Sequence, residues 1–210
     1  MSRYIGPSCR LCRREGTKLY LKGDRCFTDK CPVEKKKTPP GQHGTKRTKL
    51  SDYGVQLREK QKLKRYYAMQ EKQFRSTFNK VASRKGKTGD LLLQSLELRL
   101  DSVLRKMGVG VSQNSARQIA THNHVLINGK RCNIPSRLLK VGDKITFKNS
   151  ILSIPSVVGA LETAKKENHS VPAWLNWDIH NLSAEVVAIP QRDEIHIPVR
   201  EQLVVELYSK

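Results

Sequence analysis

The clearest structural pattern in this chain lies in residues 96–147, which read LELRLDSVLRKMGVGVSQNSARQIATHNHVLINGKRCNIPSRLLKVGDKITF. The first half has the apolar spacing of a helix, a glycine-containing turn and a second helix that Ser112 would cap. The second half has the alternation of short strands, and the Asn-Gly pair at 128–129 favours a tight hairpin turn. This stretch therefore predicts two helices followed by a small antiparallel sheet.

The second helix and the first strand of this stretch each have an apolar and a polar face. The apolar residues expected to face the core are Ala116, Ile119, Ala120, Val125 and Ile127. The polar residues expected to point outward are Gln113, Arg117, Gln118, Lys130 and Arg131. We therefore expect a packed module with one polar surface.

The flanking sequence is mostly helical in pattern. Before the module we expect helices over about 51–69, around Phe74 to Val81, and over 88–107 as one continuous helix closed by Gly108. After it we expect a helix within 153–168, strands within 174–190 and a final helix over 200–210. Trp174 and Trp177 are expected to be packing residues, and Cys132 a small half-buried one.

The charge of the chain is strongly positive and unevenly distributed. Its 210 residues include 40 Lys and Arg against 19 Asp and Glu, a formal net charge of +21. Residues 151–210 hold only 5 of these basic side chains and 8 of the acidic ones, so the excess lies in residues 1–150. We expect residues 1–150 to lie against a nucleic acid, with an anionic membrane surface as the weaker alternative.

Four of the five cysteines lie in the first 31 residues. Cys9 and Cys12 form a C-x2-C pair, and Cys26 and Cys31 form a C-x4-C pair. This spacing lets two short loops converge on a tetrahedral metal, and four thiolates leave no open position for a reactive water. We expect one structural zinc ion here. An iron–sulfur cluster on the same ligands, disulfides or unliganded thiols, and a ligand role for His43 are the alternatives.

The segment around these cysteines is basic and continues into an irregular linker. Residues 32–50, PVEKKKTPPGQHGTKRTKL, combine prolines, glycines and a lysine run, which predicts an extended basic tail. The N-terminus MSRYIGPSC lacks the apolar stretch of a signal peptide, and no run of about 18 apolar residues could span a bilayer. We therefore expect a reducing compartment and a metal that orders the basic segment.

The stretch 96–147 resembles the small RNA-binding module named after a ribosomal protein, in which two helices and a hairpin make an L-shaped surface. Further segments extend the resemblance over nearly the whole chain: CRLCRREG with the second cysteine pair, PPGQHG, YGVQLREKQKLKRYY and IPVREQLVVELYSK. In this order they are similar to bacterial-type ribosomal protein four of the small subunit. The module alone also occurs in tRNA synthetases and pseudouridine synthases.

This resemblance implies an RNA surface on the module and on the segments before it. On the module the implied RNA-binding residues are Ser112, Gln113, Arg117, Gln118, His122, Asn128, Lys130 and Arg131. Before the module the basic residues expected to contact RNA are Arg10, Arg13, Arg14, Lys22, Arg47, Arg58 and Lys62. Arg and Lys suit phosphates, while Ser, Gln and Asn can reach ribose hydroxyls and base edges.

The resemblance also implies a function. It implies a structural component of the small ribosomal subunit, a primary rRNA binder that attaches at a helix junction in the five-prime domain and nucleates assembly of the subunit body. It further implies ribosomal protein five as a neighbour, proximity to mRNA where it enters the subunit, and an influence on translational accuracy. The expected location is the cytoplasmic ribosome or that of an organelle. A non-ribosomal RNA-binding factor with the same module is the alternative.

An enzyme is the least favoured interpretation. The motif RLD at residues 99–101 is similar to the catalytic aspartate motif of pseudouridine synthases, but Asp101 falls within a helical pattern. The chain also lacks room for the large mixed-sheet domain of such an enzyme. We therefore expect no catalytic residues.

The combined expectation is an α+β fold in three parts. The parts are a four-cysteine metal knuckle and basic tail over 1–48, a small helical domain over 49–95 completed by the C-terminal helix 198–210, and an inserted RNA-binding module over 96–197 with its core at 97–160. The resemblance implies that the C-terminal helix returns to pack on the helices before the module.

Overall fold

The computed structural model of this chain describes residues 4–36, 38–46, 49–166 and 170–209. The chain divides into two compact units, of which the first comprises residues 1–92 with 197–210 and the second residues 93–196. The first unit is helical, and the second contains a five-stranded antiparallel sheet. This mixture confirms the α+β class, while the three-part domain limits of the sequence analysis stay predictions.

The N-terminal part of the first unit consists of short elements around a small apolar cluster. Helix α1 spans Ser8–Glu15, a 3-10 turn spans Gly23–Cys26, helix α2 spans Pro32–Lys35 and a second 3-10 turn spans Gln42–Thr45. The buried members of the cluster are Cys12, Leu19 and Leu21. The prediction of a wholly irregular segment after Cys31 is wrong at α2, because a proline at the first helical position starts a helix instead of breaking it.

Two longer helices follow, and the C-terminal helix packs beside them. Helix α3 spans Asp52–Tyr66, α4 spans Glu71–Ala82 and α9 spans Glu201–Ser209. The Ser51 hydroxyl accepts a hydrogen bond from the Gly54 amide at 3.2 Å, which confirms the predicted N-cap. Helix α9 packs on α3, and the Tyr208 ring stacks on Phe78 with centroids 4.5 Å apart. The return of the C-terminal helix is therefore confirmed.

Glu71 joins the three helices electrostatically. Its carboxylate accepts hydrogen bonds from Lys60 at 2.6 Å and Lys64 at 2.9 Å, both on α3, and from the Tyr208 hydroxyl at 3.0 Å. Burial alone would raise the pKa of Glu71, but these three donors outweigh it and lower the pKa to about 2. The carboxylate is therefore ionised at neutral pH and holds α3, α4 and α9 together.

The predicted single helix over 88–107 is in fact two helices. Helix α5 spans Thr88–Glu97 and α6 spans Leu100–Lys106. Between them Arg99 is extended, with φ −70° and ψ 140°, and forms an antiparallel bridge with Leu138. The Leu100 amide donates to the Arg137 carbonyl at 2.9 Å. The helix breaks here because a distant segment supplies the hydrogen-bond partners that the next helical turn would have used.

The second unit contains the two helices and the sheet predicted for the module. Helix α7 spans Gln113–Thr121 and packs on α6. The strands are β1 Val125–Ile127, β2 Lys130–Arg131, β3 Lys144–Phe147, β4 Leu175–Asp178 and β5 Ser183–Val186. They pair antiparallel in the order β2-β1-β3-β5-β4. The helix-turn-helix and hairpin predicted from residues 96–147 are confirmed.

One apolar core holds the second unit together. Helix α8 spans Pro155–Lys166 and contributes Val157 and Leu161 to a core that includes Val125, Ile127 and Ile145 of the sheet. Trp174 is buried in this core, and Trp177 is half-buried against it with its ring edge-on to that of Phe147, so the packing role predicted for both is confirmed. Cys132 is fully buried in the core, more deeply than predicted.

The helices within the described ranges are too short or too polar to cross a membrane.

Candidate nucleic-acid interface

The hairpin of the second unit presents two cations at its turn. Strands β1 and β2 are joined by Asn128 and Gly129, whose φ angles are 51° and 76°. Two consecutive positive φ angles define a tight type I′ turn, which Asn and Gly adopt more easily than other residues. Lys130 and Arg131 form β2 and are exposed. Their presentation at this turn is confirmed, and their contact with RNA stays a prediction.

Asn128 braces the hairpin against the loop before β3. Its side-chain oxygen accepts a hydrogen bond from the Lys144 amide at 2.9 Å, and its side-chain nitrogen donates to Asp143 at 2.8 Å. Asp143 in turn accepts from the Lys140 amide at 2.8 Å. Both ends of the Asn128 amide are therefore engaged within the protein, so this residue fixes the shape of the surface as well as lying on it.

The loop braced by Asn128 adds cations beyond the predicted RNA-binding residues. Arg137, Lys140 and Lys144 are exposed on this segment. The Lys144 ammonium lies 3.9 Å from Glu185, and 69% of the Lys144 side chain is accessible. The basic residues spaced along 135–148 are the sequence signal for these additional cations. They extend the positive surface next to Lys130 and Arg131.

Helix α7 exposes only part of its predicted RNA surface. Gln118 and His122 are exposed, whereas Ser112, Gln113 and Arg117 are buried. Ser112 caps the helix by accepting from the Ser115 amide at 3.2 Å, as predicted. The outward orientation predicted for Gln113 and Arg117 is wrong. Positions three and four residues apart share one face of a helix, so both residues lie on the same buried face as Ala116 and Ala120.

The buried face of α7 carries an ion network. The Asp101 carboxylate accepts hydrogen bonds from Arg99 at 3.0 and 3.1 Å and from Arg117 at 3.3 Å. Only 1% of the Asp101 side chain is accessible. An aspartate held in this way positions α6, α7 and the bridge at Arg99, and it cannot reach a substrate. The motif that resembles a catalytic one is therefore structural here.

The first unit has a broad basic cleft. Its volume is about 560 Å³, and it lies between α1, the loop before Lys46 and α3. The residues that line it are Arg14, Glu15, Pro39, His43, Gly44, Lys46, Leu50, Val55, Arg58, Glu59 and Lys62. The cleft brings together three of the predicted RNA-binding residues, Arg14, Arg58 and Lys62, and adds Lys46 and His43. Its size and charge suit a nucleic-acid backbone.

Two carboxylates in this cleft take up part of its positive charge. Arg58 lies 3.4 Å from Glu15, to which Arg65 also binds, and Lys62 lies 2.5 Å from Glu59. Burial raises the pKa of Glu15 even though the neighbouring guanidinium groups oppose that rise. The pairs with Glu15 attach α1 to α3. Arg58 and Lys62 therefore serve the structure of the cleft in addition to any contact with RNA.

The other predicted basic residues of the first unit differ in their surroundings. Arg10, Arg14 and Lys22 are exposed. The Arg13 guanidinium donates to the Thr38 carbonyl at 2.9 and 3.1 Å, and thereby holds the proline-rich loop. Arg47 lies outside the described residues. The predicted surface thus includes exposed cations beside one that shapes the loop.

The four N-terminal cysteines lie in one neighbourhood. Cys9 and Cys12 are one helical turn apart on α1, Cys26 ends the first 3-10 turn, and Cys31 immediately precedes α2. Burial raises the pKa of Cys12, and the nearby Cys26, Cys9 and Cys31 add to that rise, while a hydrogen bond from the Leu19 amide opposes it. All five cysteines are free thiols.

The donor set of this neighbourhood fits a four-thiolate metal site, but its geometry does not form one. Within the described residues, no group of three or more His, Cys, Asp and Glu side chains is close enough to hold a metal ion. Soft thiolates are the ligands that zinc prefers in structural sites. The residue types of this neighbourhood therefore suit zinc, whereas the described positions do not bring three of the thiols together.

Comparison with known proteins identifies the family. Residues 3–97 match the family described as ribosomal protein S4/S9 N-terminal domain, and residues 98–145 match the S4 domain. The small ribosomal subunit protein uS4 of Acetivibrio thermocellus and the protein uS4A of Nitrosomonas europaea are each 52% identical to this chain over 210 residues, which is the whole of both chains. The protein uS4A of Symbiobacterium thermophilum is 50% identical over the same full length.

These matches extend over the whole of this chain. Both units described above, the helical one and the sheet-containing one, fall within the full-length alignments. The chain therefore belongs to the uS4 family of small-subunit ribosomal proteins, which are structural proteins and not enzymes.

Proposed function

We propose that this protein is a structural component of the small ribosomal subunit and acts as a primary binder of its rRNA. The observation that carries the proposal is the 52% identity along the entire chain to a protein named for that subunit. The exposed cations at the β1–β2 hairpin and the basic cleft beside α3 support it, because both surfaces suit a phosphate backbone.

The proposed RNA target is a helix junction in the five-prime domain of small-subunit rRNA. The two proposed binding surfaces, the β1–β2 hairpin and the basic cleft, differ in rigidity, and a rigid surface supports a folded RNA target. The hairpin is rigid, since Asn128 ties it to the loop before β3 at 2.8 and 2.9 Å, whereas the cleft is broad and open to a backbone. A rigid braced surface recognises shape, which is how structured RNA is distinguished. Binding at such a junction would nucleate assembly of the subunit body.

The proposed neighbours in the subunit are ribosomal protein five and the mRNA where it enters. This part of the proposal rests on the family resemblance, together with the acidic balance of residues 151–210, which favours a protein neighbour over RNA in that region. An influence on translational accuracy follows from that position. The proposed location is the ribosome of the cytoplasm.

We also propose that Cys9, Cys12, Cys26 and Cys31 bind one structural zinc ion. The nearness of the four thiols supports this proposal, since Cys9, Cys26 and Cys31 all raise the pKa of Cys12. The four sulfur atoms must then come closer together than they lie here, since the described geometry does not form a metal site. Native mass spectrometry of the purified protein tests the proposal: we expect about one zinc per chain, lost in Cys12→Ser and kept in Cys132→Ser. A metal-free wild-type protein that keeps its RNA affinity would overturn it.

Chemical footprinting of intact small-subunit rRNA tests the proposed function directly. We expect the protein, at low concentration and without other ribosomal proteins, to protect one contiguous junction in the five-prime domain. Protections scattered over all domains would contradict primary binding and would favour a generic RNA-binding factor. Repeating the footprint with a variant in which the charges of Lys130 and Arg131 are reversed shows whether the hairpin surface contributes to it.

A further inference from the structure

A small polar cavity in the second unit is unexplained by the surfaces described so far. It lies between α7 and the start of α8 and has a volume of about 70 Å³. Its lining residues are Ser115, Gln118, Ile119, His122, His124, Ile154, Ser156 and Val157. Three apolar residues form one wall, and the other five supply hydroxyl, amide and imidazole groups. None of these eight lining residues is acidic.

The two histidines of this cavity are held next to a lysine. The ring centroids of His122 and His124 lie 6.4 Å apart. The Lys148 amide donates to the His124 carbonyl at 3.0 Å, which places Lys148 beside His124 at the end of the strand pair. The Ser150 hydroxyl lies 3.4 Å from a ring nitrogen of His124 and restricts that ring. The groups near His124 are His122, which caps the C-terminal end of α7, Lys148 after β3, and the Ser150 hydroxyl.

We propose that this cavity binds one backbone phosphate of the rRNA and that His124 takes up a proton when it does so. The inference rests on the proposed rRNA-binding function and adds to it a specific anion site with a pH dependence. The ligand class is a phosphodiester, bound by the imidazoles of His122 and His124 and the hydroxyls of Ser115 and Ser156.

The polar part of the lining suits a phosphate, because hydroxyl, amide and imidazole groups can all donate hydrogen bonds to phosphate oxygens. Ser156 is also the second residue of the 12-residue helix α8, where backbone amides lack intrahelical acceptors and favour an anion.

The charges explain why a proton should accompany the phosphate. Burial lowers the pKa of His124, and the neighbouring His122 and Lys148 lower it further, so the ring is neutral at pH 7 in the free protein. A bound phosphate reverses this balance, because a nearby negative charge favours the protonated imidazole. RNA affinity should then rise as the pH falls from about 7.5 to about 6, by roughly fivefold for one proton gained.

The experiment measures the dissociation constant for the five-prime-domain RNA at about pH 6, 7 and 8 and constant ionic strength. Wild type is compared with the double variant His122→Gln/His124→Gln, since Gln keeps a hydrogen-bonding group and cannot be charged. The matched control is His196→Gln, an exposed histidine of the same unit that does not line the cavity. We expect the fivefold dependence in wild type and in the control, and its loss in the double variant.

A second measurement keeps the test independent of folding in the variant. NMR titration of the wild-type His124 ring, free and RNA-bound, should show a raised pKa for His124 in the complex. An unchanged pKa for His124, or equal pH dependence in wild type and the double variant, would overturn the proposal. Loss of preference for this RNA over an unrelated one at about pH 8 would instead contradict the proposed function, so the two failures are distinguishable.

Discussion

The Arg117 guanidinium donates to the Asp101 carboxylate at 3.3 Å, and only 1% of the Asp101 side chain is accessible to solvent. Arg99 binds the same carboxylate through two hydrogen bonds. A polar residue expected on the RNA surface is thus an internal connector between α6 and α7. The RNA surface of the module must be supplied by its other polar residues.

Replacing Arg117 should therefore act mainly on the stability of the second unit and not on a direct contact with RNA. We expect Arg117→Ala to lower the free energy of unfolding of the second unit by roughly 2–4 kcal/mol, because it removes one partner of a buried ion network. Urea denaturation measures this loss. Gln118→Ala, one residue along the helix and exposed, is the matched control and should change stability by less than about 0.5 kcal/mol. Equal stability of the two variants would show that the network is dispensable.

Charge reversal at the hairpin should weaken specific RNA binding. We expect Lys130→Glu/Arg131→Glu to lower affinity for the five-prime-domain RNA about tenfold more than affinity for an unrelated folded RNA, since these side chains sit on a braced, shape-defining turn. Lys165→Glu/Lys166→Glu, at the exposed end of α8, makes the same change in net charge. If both double variants weaken both RNAs equally, the hairpin is only a generic phosphate contact.

Acid should weaken the helical unit through Glu71. The pKa of this carboxyl is about 2 in the folded chain and 4.5 ordinarily, so its ionised form stabilises the fold above about pH 4.5. That contribution is lost as the pH falls toward 2. Because 44% of the side chain is accessible, we expect only about 1 kcal/mol, present at pH 7 and absent at low pH.

Urea titrations of wild type and Glu71→Gln across this pH range check the effect. The difference between the two proteins should shrink to zero at the acid end. Glu162→Gln, on the exposed face of α8, is the control and should show no such convergence. A difference between wild type and Glu71→Gln that does not depend on pH would mean that packing, and not charge, accounts for the role of Glu71.

The N-terminal segment should depend on its cysteines. We expect Cys26→Ser to make the first 45 residues sensitive to limited proteolysis while the second unit stays resistant, because Cys26 is buried where the short elements of this segment meet. Cys132→Ser is the reciprocal control, since Cys132 lies in the core of the second unit. Unchanged resistance of the segment in Cys26→Ser would remove the structural role assigned to the thiols.

Local signals in the sequence predicted most of the elements correctly. Ser51 and Ser112 cap the helices that their positions indicated, and the Asn-Gly pair forms the expected turn. These features depend on neighbouring residues, so they can be read from a short window of sequence. The same holds for the exposure of Lys130 and Arg131, which follows from the turn itself.

The break in the predicted helix 88–107 came from interactions between residues far apart in the chain. The break at Arg99 needs the carbonyls of residues 135 and 137, and no helix propensity near residue 99 reveals that partner. The burial of Arg117 could have been predicted, since it shares a helix face with Ala116 and Ala120, but its polarity favoured the opposite choice. The proximity of His124 to Lys148 could not be predicted from a short window of sequence, because the pairing of β1 with β3 brings the two residues together.

Specific rRNA recognition is measured by comparing the affinity of the protein for the five-prime-domain RNA with its affinity for an unrelated folded RNA of equal length over a salt series. If about six phosphates are contacted, both affinities should fall on the order of 10³-fold between about 50 and 200 mM salt. We predict that a preference for the rRNA survives at the high-salt end, because braced surfaces recognise shape. Coincident curves for the two RNAs would contradict specific rRNA binding.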